Sequence, residues 1–292
     1  MVLPDQNVIA LMLDCDGTLC DDSTETLLLH EGLNPRKFWR EVESLVRAGW
    51  DPSLAYMRNL ILLNKEHKTR HRLTNEHLRK VGSQIKFYKG VPKIFKELKD
   101  FVARDFVVRK AKAVLEFYVI SSGFEEIIRG SKIAPYLDGF CGCTFDTDRK
   151  GEIAMPSASV SFTEKTKFIF AVNKGISFRE LRRSPYLVNT AIDPEDRRVP
   201  FENMIYAGDG PSDIPCLSTI MLFHGKGVGV YNRGSAVKGY QLAKGRRLTV
   251  GPYKADYTRG SDLRNMLEQM ITEIALAIAR RNEEKVVKAP SH

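Results

Sequence analysis

The sequence predicts an α/β protein, a parallel sheet flanked by helices, carrying a second and smaller helical domain. Three short apolar runs, Val8 to Leu13, Phe117 to Ile120 and Met204 to Ala207, each end abruptly in a polar cluster that contains glycine and leads into helix-like sequence. Continuous apolar runs of this kind suit strands buried on both faces of a parallel sheet. Between the first two runs, from Cys20 to Phe87, no comparable run occurs. Apolar residues there recur at three- and four-residue spacing, as at Phe38, Val42, Leu45 and Val46, with Leu54, Met57, Leu60, Ile61 and Leu62 beyond them. At 292 residues the chain also exceeds what one core comfortably serves. The predicted division is a core of residues 1–19 and 88–292 and a helical domain of residues 20–87.

Taken in order, the first strand closes on Asp14-Cys15-Asp16-Gly17-Thr18, and the helical segment follows at once. Gly90-Val91-Pro92 opens a helix through Ile94, Phe95 and Leu98, with Pro92 in its first turn. The second strand ends at Ser121-Ser122-Gly123. Thr144-Phe145-Asp146 and Glu152-Ile153-Ala154 then flank residues 147–151 as a hairpin beside the sheet. A helix-like run starts near Thr163, and Pro185, Pro194 and Pro200 punctuate a surface loop from Ser184 to Pro200. After the third strand, Gly225-Lys226-Gly227-Val228-Gly229 reads as a tight turn beside a strand, because it lacks the Gly-Lys-Ser/Thr ending of a nucleotide cradle. Asp146 to Gly151 resembles a calcium loop, but Lys150 occupies a ligand position and Ser157 replaces the closing Glu. At the end, Leu263, Met266, Leu267, Met270, Ile271, Ile274 and Ile278 mark one face of a packed helix.

Composition narrows the classes. Hydrophobic residues at 43% and charged residues at 28% are those of a globular protein. The formal net charge of +9 favours anionic partners or serves solubility. The basic residues are spread out, so a nucleic-acid partner is not expected. Their densest stretch, Lys65 to Lys80, interleaves His67, His71 and His77 with Lys68, Arg70, Arg72 and Arg79, and is expected as a solvated helix surface in preference to a substrate-facing one. The five cysteines are odd in number and lack Cys-x-x-Cys spacing or a matching His cluster, so neither a disulfide framework nor a zinc site is expected. Cys141 and Cys143 read as strand residues rather than a redox pair. No basic flank precedes the first apolar run and Asp14 interrupts it, which predicts a cytoplasmic protein without a membrane partner.

In open α/β sheets ligands bind beyond the carboxyl ends of the strands, so the three polar clusters can converge. Asp14 and Asp16 stand one strand repeat apart and can face a common site, with Cys15 turned the other way. Two close carboxylates repel, which calls for a divalent cation or a shared proton. Gly208-Asp209-Gly210-Pro211-Ser212-Asp213 adds the hard oxygen ligands of a magnesium site. Ser121-Ser122-Gly123 offers a hydroxyl and backbone amides to phosphoryl oxygens. Lys165 adds a cation.

Together these residues resemble the four ordered motifs of the haloacid dehalogenase (HAD) superfamily, and the insertion after the first motif resembles the helical cap of its phosphoserine phosphatase-like branch. The resemblance implies a Rossmann-like core and a magnesium-dependent phosphatase acting on a small phosphorylated metabolite. By position, Asp14 is implied as nucleophile, Asp16 as acid and base, and Ser121, Ser122 and Lys165 as the phosphate-binding groups. Asp14, Asp209 and Asp16, the last through its backbone carbonyl, are implied as metal ligands; Asp213 acts through water or by orienting Lys165. Ser122 stands where phosphoserine phosphatases usually carry Gly, and the interval from Ser122 to Asp209 is longer than theirs, so the substrate stays open. An acid at Asp16 favours ester hydrolysis, where a leaving alkoxide needs a proton. A phosphomutase or phosphotransferase uses the same paired acids. A noncatalytic basic binding protein is disfavoured because every titrating residue is retained. As part of a cap, Arg70 and Arg72 are expected to meet an anionic leaving group. The oligomeric state is left open.

Overall fold

The computed structural model describes residues 6–232, 236–245 and 247–287. Strand β1 (Val8–Leu13) is buried at all six positions and lies at the centre of the sheet. Burial of each large aliphatic side chain there contributes about 1.5–3 kcal/mol. Four helices follow: α1 (Ser23–His30), α2 (Pro35–Arg47), α3 (Pro52–Lys65) and α4 (Asn75–Gly82). Each begins where the sequence supplies an N-terminal cap. Asp22, Asn34, Asp51 and Thr74 accept from the amides of Glu25, Lys37, Leu54 and His77, respectively. Phe38 and Val42 of α2 are buried as their spacing predicts, whereas Val46 falls on the solvent face.

The chain re-enters the sheet through α5 (Lys93–Arg104) and α6 (Phe106–Lys110), reaching β2 (Val114–Phe124). Pro92 is the residue that caps α5 rather than one inside its first turn. The second strand also outruns its apolar core. Its pairing with the next strand resumes at Phe124 beyond an irregularity, so Ser121, Ser122 and Gly123 lie within the strand and α7 (Glu125–Gly130) starts only after them. The hairpin is β3 (Gly139–Thr147) and β4 (Ile153–Ala158), the latter antiparallel at the sheet edge, with Cys141 and Cys143 as buried strand residues. Asp148 turns it by accepting from the amides of Lys150 and Glu152.

Helices α8 (Glu164–Lys174) and α9 (Phe178–Arg183) precede the largely exposed loop, in which Lys174 Nζ donates to the carbonyls of Val188 and Thr190. Then come β5 (Met204–Gly208), α10 (Ile214–Leu222), β6 (Lys226–Tyr231), α11 (Ala236–Ala243), β7 (Val250–Lys254) and α12 (Asp262–Val287). The glycines read as a turn are thus strand residues of β6. A Cβ on Gly229 would sit 2.6 Å from Leu248 Cδ1, and one on Gly227 would sit 2.9 Å from the Arg247 carbonyl oxygen, so the returning chain needs glycine there. The sheet order is β4-β3-β2-β1-β5-β6-β7, parallel except between β3 and β4. The stripe of α12, from Leu263 to Ile278, is buried except for the half-buried Met266.

Helix α4 seats directly on α7. A Cβ on Gly82 would stand 2.1 Å from the Ile127 carbonyl oxygen and one on Gly130 would stand 2.0 Å from that of Arg79. The basic stretch from Lys65 to Lys80 is not the single solvated helix that its charge suggests. It is mainly the connection from α3 to α4, and it folds His71 and His77 onto the buried carboxylate of Glu31. No described helix is long and apolar enough to cross a membrane.

Candidate active site

The carboxyl ends of β1, β2 and β5 bring together what the sequence separates. The Asp14 amide donates to the Ala207 carbonyl at 3.0 Å, which pins the end of β1 to β5. The chain then turns sharply, the Cys15 carbonyl accepting from the amides of Thr18, Leu19 and Cys20. Gly17 makes the turn at φ +78° and lies against Asp209; a Cβ there would fall 2.2 Å from Asp209 Oδ2. Glycine is required twice over, by conformation and by space.

Lys165, in the first turn of α8, is fully buried and donates from Nζ to Asp14 Oδ1 and Asp213 Oδ1, both at 2.8 Å. Asp213 is saturated. Its Oδ1 also accepts from Tyr206 Oη at 2.7 Å, and its Oδ2 from the amides of Asp209 and Gly210 at 3.2 and 3.3 Å. It therefore anchors Lys165 and has little capacity left to ligate an ion. Oxygens of Asp14, Asp209 and Asp213 lie within 4.8 Å of one another.

The Asp16 carboxylate points elsewhere. Its Oδ1 accepts from the Ser23 amide at 2.7 Å, at the start of α1, and approaches Cys20 Sγ at 3.8 Å. Gly123 closes over it, since a Cβ there would reach Asp16 Oδ2 at 2.7 Å and Ser121 Oγ at 3.2 Å. Ser121 Oγ is buried and accepts from the Gly123 amide at 2.9 Å. Ser122 contributes its carbonyl, which accepts from Tyr56 Oη and from Cys143 Sγ; among the described residues its own hydroxyl oxygen is buried with no hydrogen-bond partner. Ser23, Tyr56 and Asp22 are site residues that the motifs do not name. The first was legible as the residue after a capping Asp, with Glu25 three beyond Asp22.

The charges do not balance. Burial, reinforced by Asp213, pushes Asp14 up to about 7 despite Lys165. Burial, with Asp22 and Asp14, pushes Asp16 up to about 7. Burial, with Asp14 and Asp213, pushes Asp209 up to about 8. Burial also opposes the Lys165 charge, yet Asp14 and Asp213 together hold its pKa above the ordinary lysine range. Three acidic side chains, Asp14, Asp209 and Asp213, thus gather around one buried cation, and all their donors are hard oxygens. A divalent cation such as magnesium fits that set, with the carboxylates of Asp14 and Asp209 as available ligands. The Asp16 carboxylate, by contrast, falls in a separate group with Cys15 and Cys20.

A pocket of about 630 Å³ lies where the helical segment joins the core, lined by Asp21, Tyr88, Lys89, Asn232, Lys254, Ala255 and Asp256; Asp14, Asp16, Asp209 and Asp213 do not line it. Arg72 donates to the Asn64 carbonyl at 3.0 Å and pairs with Glu152 at 3.6 Å. It is thus tied both to the end of α3 and to the hairpin.

No protein-family model matches the chain. An uncharacterized protein of Borreliella burgdorferi is 29% identical over 299 residues, covering 91% of this chain and 97% of that protein. Among solved structures, a probable phosphoserine phosphatase from Vibrio cholerae in its unliganded form is similar with a TM-score of 0.53 and 13% identity, over 96% of this chain and 68% of that one. A phosphoserine phosphatase captured as a phospho-aspartyl intermediate analogue gives a TM-score of 0.52 and 14% identity, over 90% of this chain and 99% of that one. Such identities speak for a shared fold, and function has to be argued from the site.

Proposed function

We propose that this chain, whose fold is the phosphoserine phosphatase-like fold of the HAD superfamily, is a magnesium-dependent phosphatase that hydrolyses a small phosphomonoester through an aspartyl-phosphate on Asp14. One observation carries the reading: a buried Lys165 joins Asp14 to Asp213 at 2.8 Å each, while a second acid, Asp16, is oriented separately by the Ser23 amide. A nucleophile, a cation and an independently held acid are the parts that phosphoryl transfer needs.

Asp14 attacks phosphorus and displaces the ester oxygen, and Asp16 gives that oxygen its proton. The deprotonated Asp16 next takes a proton from water, which attacks the aspartyl-phosphate, releases inorganic phosphate and restores Asp14. Lys165 offsets charge on the transferring group, and the Ser121 hydroxyl with the amides beside it receives phosphoryl oxygens. A bound magnesium ion adds Lewis-acid stabilisation of the same oxygens. Residues 20–87 act as a cap that selects the substrate and excludes water on closure, since both junctions of the segment adjoin the first acidic turn. Five free, buried cysteines suit a reducing compartment, and we assign the enzyme to the cytoplasm.

The test is turnover of a phosphomonoester panel by purified protein with magnesium, with chelator, and with Asp14→Asn. Magnesium-stimulated release of phosphate, lost in the variant, is expected. Release unaffected by the substitution refutes the mechanism.

A further inference from the structure

We propose a second metal site, of zinc type, formed by His30, Glu31, His71 and His77 in the helical segment and separate from the acids of the candidate active site. His30 ends α1 and Glu31 is the residue that caps it; His71 lies in the connection between α3 and α4, and His77 in the first turn of α4. Three imidazoles converge on one carboxylate oxygen. Glu31 Oε1 lies 2.9 Å from His30 Nδ1, 3.3 Å from His71 Nδ1 and 2.6 Å from His77 Nε2. The three ring centres are 5.3, 5.4 and 4.9 Å apart.

Those dimensions are close to those of a tetrahedral ion. Metal–nitrogen bonds of about 2.0–2.1 Å place neighbouring donor atoms about 3.3 Å apart and imidazole centres roughly 5 Å apart. All four donors already lie within 4.8 Å of one another. The Glu31 side chain has no exposure, and its second oxygen accepts from the His71 amide at 2.8 Å, the kind of outer contact that orients a ligand. The His71 side chain is 47% exposed, which gives an ion a way in. Three imidazoles and a carboxylate favour zinc over magnesium, and a closed set of four protein ligands marks a structural ion rather than a catalytic one. Such an ion would tie the end of α1 and the preceding connection to α4, which is itself seated on α7 through Gly82 and Gly130. The four residues are spread over positions 30–77 without a repeated spacing, so no local pattern brings them together.

The experiment uses the full chain, stripped by chelator, dialysed, and titrated with Zn²⁺ by calorimetry and with Co²⁺ by visible absorption. One equivalent of zinc is expected to bind in the presence of excess magnesium and to persist in Asp209→Asn. Cobalt should give the intense absorption of a tetrahedral site, and zinc should raise the Tm. His71→Ala and His77→Ala, each shown folded by circular dichroism, should weaken zinc binding by more than the roughly 10–100-fold that loss of an outer partner costs. If His77→Ala does not fold, the more exposed His71→Ala decides alone. Two results would overturn the proposal: folded protein that takes up no zinc, leaving only a carboxylate–histidine network, or binding that Asp209→Asn removes and His71→Ala spares. Neither readout depends on phosphatase activity.

Discussion

Replacing Lys165 with Met tests the electrostatic centre of the site. Lys165 is fully buried and 2.8 Å from each of two carboxylates, so the substitution leaves Asp14 and Asp213 facing each other with no cation between them. Removing one partner of a buried ion pair costs about 3–5 kcal/mol, most of it the penalty of the charge left behind. The penalty depends on pH with a definite sign. The folded-state pKa of Asp14 is already raised from 3.8 to about 7, and loss of Lys165, which lowers it, raises it further. A raised carboxylate favours the folded state fully below the unfolded value and loses that contribution as pH rises through the folded value. The variant should therefore approach the parent in stability near about pH 5 and fall furthest below it at about pH 8. Urea unfolding of both proteins in chelator at the two pH values, compared at equal m-value, measures the difference. With magnesium present, kcat/KM should fall roughly 100- to 1,000-fold, the usual loss for one preorganised charge on a transferring group. A stability gap of the same size at both pH values, together with kcat/KM close to the parent's, would refute this account of Lys165.

Three further outcomes are expected. Asp14→Asn should cut turnover by roughly 10,000-fold or more, as loss of a nucleophile does, while the protein stays folded, because the amide oxygen can still accept from Lys165; circular dichroism and a phosphate-release assay check both. Metal-free protein should lose stability as pH rises from about 4 to about 8, because Asp14, Asp16 and Asp209 all have raised folded values, and magnesium should remove most of this slope; a loss larger than the roughly 4 kcal/mol of a single carboxylate raised by about three units is expected across that range, measured by urea unfolding with and without the ion. Gly123→Ala should lower kcat about 10- to 100-fold with little change in Tm, because the added Cβ would fall 2.7 Å from Asp16 Oδ2 and displace the acid; unchanged kcat would mean that Asp16 is not positioned there during turnover.

Much of the core was legible because its strands are buried on both faces. Val8–Leu13 and Met204–Ala207 are uninterrupted apolar runs, and the structure places their polar ends side by side. Two of the insertion helices, α2 and α3, were legible by period, but α1 and α4 were not, and the boundaries of all four depend on the caps Asp22, Asn34, Asp51 and Thr74, single residues in a polar background. What the sequence hid is tertiary. The end of β2 was misread because Ser121 and Ser122 look like loop residues, although pairing through Phe124 carries the strand past them. Gly227 and Gly229 looked like a turn because their reason, the close return of the chain at Arg247 and Leu248, is a distant contact. For the site, Asp14, Asp209 and Asp213 stand where their strands deliver them, and Lys165 is brought between two of them across a separation that no local pattern encodes.

The two paired acids show why such a site needs groups from the helical segment as well as from the sheet. A strand alone would set Asp14 and Asp16 on one side at a single repeat, and mutual repulsion would oppose ionising both. Instead the chain turns at Gly17, so that Asp14 stays with Lys165 and the loop after β5 while Asp16 swings to the first amide of α1. The sheet thus holds Asp14, the proposed nucleophile, and the first residue of α1 holds Asp16, the proposed acid. Tyr56 of α3 reaches the same region from the other side through the Ser122 carbonyl. In the mechanism proposed above, closure over a substrate would exclude water while Asp16 is held by the Ser23 amide beside the segment.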